Sequence, residues 1–328
     1  MRVLALLHTY PPIQSAGAEM MVHTLLRALV DDGHQADVVL SRDAGEPYDL
    51  DGVRVHPHRS KNDVFDHLHH ADVLVTHLEN TPRATILGSL NKVPVVHVIH
   101  NTFEPTRRWL ERGPVTLAVF NSQWMLEDYR THMQAPMPPH VVVRPPVLLD
   151  EYRTTPGDKV TLINLYLNKG SATFWALAER MPDVKFLAVV GGYGAQDIRD
   201  LPNVEVVEHV PGHEMRDRVY AQTRLLLVPS IYESWGRVAV EAMASGIPVI
   251  AHPTPGLKEC LADAGTFADR NDLDAWEHEV RRLLDGRRWR PASRRAAARA
   301  AELDPTPDLN VWREALTRVA LTRVRARK

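Results

Sequence analysis

A chain of 328 residues, 44% hydrophobic and with one cysteine, Cys260, is long enough for two buried cores and has no means of forming an internal disulfide. The balance of 39 Lys and Arg against 41 Asp and Glu, a net charge of −2, excludes a general field that would draw in nucleic acid or an anionic membrane. The opening MRVLALLHTYPP holds an apolar run too short for a signal-peptide core or a membrane span, so a soluble, cytoplasmic protein is expected. In chain order, RVLALL (2–7) predicts a buried strand, and Ala18, Met21, Val22, Leu25, Leu26 and Leu29 then recur at helical spacing up to Gly33. The rhythm repeats in ADVVLS (36–41), in DVLVT (72–76) before a helix near 82–90, in PVVHVI (94–99), and in TLAVF (116–120) before a helix in SQWMLEDYRTHM. A Pro-, Gly- and charge-rich stretch near 144–158 reads as a linker. Strands then resume at 160–165, 185–190, 204–207, 224–229 and 248–251, with helices from Ser171 and near 213–222, 272–285, 292–302 and 308–324. Aliphatic runs without polar alternation suit parallel strands covered on both faces, which gives two doubly wound, Rossmann-like α/β domains.

Ligands of such sheets gather at the carboxyl ends of the strands. PSIYESWGRVAVEAMASGIPVIA (229–251) holds one such end: a strand, the loop IYESWG, and a helix that stops at Gly246. A helix starting near Gly236 aims free N–H groups and a positive dipole end at the place where a phosphate would sit. Glu233 lies in the loop and Glu241 on the flank of the helix, so the two carboxylates would meet different parts of one extended ligand. Two solvated glutamates are the plain alternative. Against it stands the apolar company of Glu241, the only acid of its helix.

This stretch resembles the E-x7-E signature of retaining, nucleotide-sugar-dependent glycosyltransferases of the GT-B fold, family 4. The resemblance covers most of the chain: SAGAEMMVHTLLRALVDDGHQADVV is similar to the family's Gly-Gly-Ala-Glu loop and first helix, VVHVIHNT to its histidine segment, and LNKGS to its phosphate loop, while VVGGYG and PGLKE also fit. It implies two domains facing across a cleft, with an acceptor-side domain at 1–150, a donor domain at 151–305, and a last helix, 306–328, that crosses back to the first domain. It implies metal-independent transfer from a UDP-, GDP- or other nucleoside-diphosphate sugar, with no further cofactor. Glu233 would hold the donor sugar and support positive charge at its anomeric carbon, Glu241 the ribose hydroxyls, and Lys169 the leaving diphosphate. The backbone at Gly236, Arg237 and Val238 would complete the phosphate cradle, Gly17 would let backbone approach the phosphates, and His100 would sit near sugar and acceptor. Two positions depart from the pattern. Asn164 stands where the family has an arginine, which makes Arg237 the candidate replacement cation, and Ala16 stands for the first glycine of the paired-glycine loop.

Other groupings carry less chemistry. The histidines of VHPH (55–58) and DHLHH (66–70) have metal-like letters, but no second dense ligand pair at zinc spacing follows, and a solvated face is expected. GGYG completes no dinucleotide fingerprint and reads as a turn. The arginines from Arg281 to Arg299 read as a solvated helical face, and RRWLERG (107–113) either touches acceptor or packs its Trp109 in the core. Two further readings stay open: an epimerase or hydrolase of the same fold, and a donor-binding pseudoenzyme, which Asn164 and Ala16 make possible. The base, the sugar, the acceptor (small metabolite, glycan, protein or hydroxylated base) and the oligomeric state are left open.

Overall fold

The structure is a computed structural model that describes residues 1–42, 45–57 and 61–327, with the side chains of 61–63 and 324–327 left aside. The chain divides into two units: unit 1 is Met1–Pro146 together with Pro305–Lys328, and unit 2 is Val147–Asp304.

Unit 1 holds strands β1 (Arg2–Leu7), β2 (Gln35–Leu40), β3 (Tyr48–Leu50), β4 (Val53–His56), β5 (Val73–His77), β6 (Val95–Ile99), β7 (Leu117–Phe120) and β8 (His140–Val142). Their order is β3-β4-β2-β1-β5-β6-β7-β8, and every pairing is parallel except the antiparallel β3–β4. Because side chains alternate across a strand, the run in β1 feeds two cores. Val3, Ala5 and Leu7 face the helices Gly17–Asp31 and Thr306–Arg327, while Leu4 and Leu6 face Val64, Leu68, Ala84 and Leu87 of the helices Lys61–His70 and Thr81–Asn91. The last helix is pinned in this unit by the Trp312 indole N–H, which donates to the Leu25 carbonyl at 2.9 Å, and by a two-pronged bond from the Arg144 guanidinium to Asp308 Oδ2 at 2.9 and 2.7 Å.

Unit 2 holds β9 (Lys159–Ile163), β10 (Phe186–Val189), β11 (Val204–Val207), β12 (Thr223–Val228), β13 (Val249–Ala251) and β14 (Thr266–Phe267), all parallel, in the order β11-β10-β9-β12-β13-β14. The direction of strand order reverses between β9 and β12, and the crevice at such a reversal is where open α/β sheets take ligands.

The structure departs from the sequence reading in detail. The helix expected near 213–222 is two 3-10 turns, Gly212–Glu214 and Tyr220–Gln222, around the short helix Met215–Arg218, because Val219 leaves helical backbone (φ −120°, ψ −64°) with its side chain fully buried. The helix expected from 292 begins at Gly286, capped by Asp285, whose carboxylate accepts from Arg287 N at 2.9 Å. The linker near 144–158 contains one helical turn, Leu149–Tyr152. Strands β3, β4, β8 and β14 and the helices Glu104–Arg112 and Pro255–Leu261 are additional to that reading. Trp109 is half-buried, and Arg287, Arg288, Arg290, Arg294 and Arg295 are solvent-exposed. Among the described residues no helix is long and apolar enough to cross a membrane.

Candidate active site

In unit 2 three loops converge at the carboxyl edge of the sheet. After β9 the backbone turns at Asn164, φ 77°, whose Oδ1 accepts from Tyr166 N at 3.0 Å and from Gln196 Nε2 at 3.1 Å. The Gln196 Oε1 in turn accepts from Leu165 N at 2.9 Å and from Gly191 N at 2.8 Å. Asn164 therefore stitches the loop together and presents no charge to a ligand. A 3-10 turn, Leu167–Lys169, follows and ends at Gly170, φ 96°, where a Cβ would lie 2.2 Å from Pro229 Cγ. This approach, with a bond from Ile231 N to the Asn168 carbonyl at 3.0 Å, holds the turn against the loop after β12.

The result is an ion pair between Lys169 Nζ and Glu233 Oε1 at 2.5 Å, with side chains 23% and 15% exposed. Burial acts to lower the Lys169 pKa, but the Glu233 carboxylate and the Tyr193 hydroxyl outweigh it and raise it, so the ammonium is a permanent cation. A Cβ on Gly256 would fall 2.3 Å from the Glu233 carbonyl, so the loop after β13 leans directly on the Glu233 backbone. Gly170→Ala is expected to destabilise unit 2 by at least roughly 1–2 kcal/mol, since it combines a left-handed backbone with the Pro229 contact, and to weaken ligand binding through Lys169. Urea unfolding and ligand titration of the variant measure both.

The helix Arg237–Met243 starts directly after Gly236, and its first intrahelical bonds run from Ala239 N and Val240 N to the Gly236 carbonyl at 3.0 and 3.4 Å. Val238 is half-buried. Arg237 and Glu241, one helical turn apart, are paired with each other: Arg237 Nε lies 2.8 Å from Glu241 Oε1, with both side chains under 10% exposed. The Tyr220 hydroxyl donates to Glu241 Oε2 at 2.7 Å, and Arg237 Nη2 donates to the Tyr152 hydroxyl at 3.2 Å. Burial and the neighbouring carboxylate push the Tyr220 hydroxyl well above its ordinary value, so it remains a donor. The sequence reads Arg237 and Glu241 as two separate ligand contacts; the fold makes them one buried network.

Unit 1 gathers histidines at adjacent strand ends. Ala16 is extended (φ −101°, ψ 171°) and precedes the helix Gly17–Asp31, and a Cβ on Gly17 would meet no protein atom within 4 Å. From the first turn of that helix, buried Glu19 places Oε1 3.3 Å from Nε2 of His8, the residue after β1. The His8 and His77 rings lie 5.3 Å apart between centroids, and His77 Nδ1 is 3.2 Å from Nε2 of His100, the residue after β6. Burial, reinforced by the neighbouring imidazoles, pushes His100 and His97 down to about 3 and His77 well below its ordinary value. His100 is thus a neutral hydrogen-bonding group within a file of imidazoles. His8, Glu19 and His77 were missed in the sequence reading, although each histidine ends or directly follows a strand run, in RVLALLH and DVLVTH.

Residues 185–303 match the family model described as glycosyl transferases group 1, and residues 15–151 match that of glycosyltransferase family 4. O-antigen chain mannosyltransferase B of Escherichia coli is 34% identical over 100 residues, 30% of this chain and 26% of that protein. A D-inositol 3-phosphate glycosyltransferase of Mycobacterium sp. (strain KMS) is 37% identical over 134 residues, 37% of this chain and 30% of that protein. The matched segments thus span less than a third of those relatives' length. Among solved structures, Anabaena HepE in complex with UDP-glucose superposes with a TM-score of 0.78 at 18% identity, over 97% of this chain and 99% of that one. Sucrose-phosphate synthase from Thermosynechococcus elongatus does so with a TM-score of 0.77 at 17% identity, over 98% of this chain and 100% of that one. Two parallel-sheet α/β units with these neighbours define the GT-B fold. The chain belongs to the group 1, family 4 glycosyltransferases.

Proposed function

We propose that the protein transfers a hexose-type sugar from a nucleoside-diphosphate sugar to an acceptor hydroxyl, with retention of anomeric configuration and without a metal ion. The observation that carries this reading is the Lys169–Glu233 pair at the reversal of strand order in unit 2: a permanent cation beside a carboxylate, accessible where such sheets take ligands. The complex of HepE with UDP-glucose supports the donor class. In the reaction the bond between the anomeric carbon and the β-phosphate oxygen breaks, the acceptor oxygen bonds to the anomeric carbon on the same face, and the acceptor proton passes to the departing phosphate.

Lys169 neutralises charge growing on the diphosphate, and Glu233 holds sugar hydroxyls and supports the positive charge at the anomeric carbon. With Asn164 uncharged and Arg237 committed to Glu241, the cationic share of the work falls on Lys169. The Tyr220 hydroxyl donates to Glu241 Oε2 and the Arg237 guanidinium neutralises Oε1, so the carboxylate keeps acceptor lone pairs for ribose hydroxyls. The backbone at Gly236, Arg237 and Val238 and the open approach at Gly17, next to Ala16, serve the phosphates, while His100, neutral, serves sugar and acceptor as a hydrogen-bond partner. Asn164 favours one second reading, a protein that binds the donor and turns nothing over.

A thermal-shift panel of nucleoside diphosphates and their sugars tests the proposal. At about 100 times its dissociation constant the right ligand stabilises by roughly 2.7 kcal/mol, and Lys169→Ala is expected to remove most of that shift at the same concentration. No response to any nucleotide would overturn the donor site. A response without release of nucleoside diphosphate from the sugar, across an acceptor screen, would favour the second reading, and release of free sugar without acceptor would mark a hydrolase.

A further inference from the structure

The histidine-rich segments that the glycosyl-transfer site leaves unused are brought together by the fold of unit 1. Strands β2 and β4 pair in parallel, with Asp37 opposite Arg54 and Val39 opposite His56. The helix Lys61–His70 covers this part of the sheet by burying Val64 and Leu68 with Val39, which places His67, adjacent to Leu68, over the end of β4. His56 Nε2 lies 2.9 Å from Asp37 Oδ1, and the His56 and His67 rings lie 4.2 Å apart between centroids. One donor atom from each of Asp37, His56 and His67 lies within 4.8 Å of the other two, and all three residues are half-buried. His58, in the same histidine segment as His56, lies outside the described residues.

We propose that Asp37, His56 and His67 form a binding site for one divalent transition-metal ion of the zinc class, separate from the glycosyl-transfer residues. Two imidazoles and a carboxylate suit zinc, nickel or copper rather than magnesium or calcium, which take all-oxygen sets. Donors on bonds of ~2.1 Å stand ~3.4 Å apart around a tetrahedral ion, so the wider-spaced donors draw in by about 1.4 Å at most, while His56 Nε2 and Asp37 Oδ1, now 2.9 Å apart, open by about 0.5 Å as the ion replaces the proton between them, and water completes the coordination. An open pocket of about 630 Å³, lined by Phe65, Asp66, His67, His69, His70 and Asn91, leaves His67 reachable from solvent. The Arg54 guanidinium, 2.6 Å from Asp37 Oδ2, shares the carboxylate and limits affinity, while Asp66 next to His67 offsets part of that charge. Bound metal would tie the helix Lys61–His70 to β2 and β4.

The test is zinc titration of the untagged full chain by calorimetry, with metal counted after gel filtration and cobalt absorption as a second readout of nitrogen and oxygen ligation. The wild type is expected to take up one zinc ion at this site, with His67→Ala and His56→Ala each weakening it by roughly tenfold or more. His69→Ala/His70→Ala, on the same helix, and His77→Ala, in the buried group with His8 and Glu19, are expected to leave that affinity unchanged. No zinc uptake by the wild type would overturn the proposal. So would uptake insensitive to His67→Ala, or uptake lost in the His69→Ala/His70→Ala or His77→Ala chain, each of which would put the ion elsewhere.

Discussion

Arg237→Met is expected to lower the stability of unit 2 by roughly 3–5 kcal/mol, and adding Glu241→Gln to the same chain to restore a large part of that loss. The single substitution leaves the Glu241 carboxylate in a pocket where its side chain is only 7% exposed, with the Tyr220 hydroxyl as its remaining partner in the network. An uncompensated buried charge is far more costly than the pair is beneficial, because each ion gave up its hydration to enter the fold. The glutamine of the double variant keeps an oxygen for the Tyr220 hydroxyl and carries no charge. Urea unfolding of the wild type, both single variants and the double variant forms a thermodynamic cycle, and strictly additive losses would show that the two side chains do not depend on one another. Because unit 2 is one of two units, the unfolding probe has to report on it: Trp175, Trp235, Trp276 and Trp289 lie in unit 2, and Trp109, Trp124 and Trp312 in unit 1.

Acid is expected to weaken unit 1 well before its carboxylates titrate. His77 and His97 have no exposed surface; burial holds His97 down to about 3 from an ordinary 6.5, and His77 well below 6.5. Unfolded, both take up protons near pH 6.5; folded, they stay neutral, so the unfolded chain binds more protons below pH 6.5 and stability falls as the pH falls. At pH 5.5 each imidazole costs about 1.4 kcal/mol relative to neutral pH, near 3 kcal/mol for the two. His97→Leu isolates one of them. Both ring nitrogens of His97 lack a hydrogen-bond partner among the described residues, so an apolar side chain forfeits no bond there. The variant is expected to match or exceed the wild type at pH 7.5 and to lose about 1.4 kcal/mol less on acidification to pH 5.5. Parallel pH profiles of the two chains would sink the assignment.

Strands read from the sequence are those that burial makes apolar on both faces, such as β1, β5, β6 and β12, since a covered parallel strand needs no polar alternation. Those left unread, Tyr48–Leu50, Val53–His56, His140–Val142 and Thr266–Phe267, are short and lie at or next to the sheet edges, where half-exposed polar residues erase the pattern. In the site, Glu233 stood out because it follows a strand run, and Lys169 because LNKGS resembles the family's phosphate loop. The Arg237–Glu241 pairing was not read, because each charge was assigned to a ligand, although opposite charges four residues apart on an otherwise apolar helix are a signal for it. Tyr220 and Tyr152 were not legible, since nothing local ties them to a carboxylate 21 residues further on in one case. Asn164 shows the same limit: its letter reports the missing arginine, but only the fold reveals that its amide is spent on Tyr166 and Gln196.

The last helix has a consequence for how the polypeptide is made. Unit 2 is one continuous stretch, Val147–Asp304, whereas unit 1 closes only when Trp312 and Leu316 join a core begun by Val3 and Leu7. During translation the inserted unit has its whole sequence available first, while the first sheet waits with an apolar face uncovered until residues 305–328 emerge. A chain released after residue 304 would therefore carry a complete unit 2 and an unfinished unit 1, a natural substrate for a chaperone that binds exposed aliphatic surface.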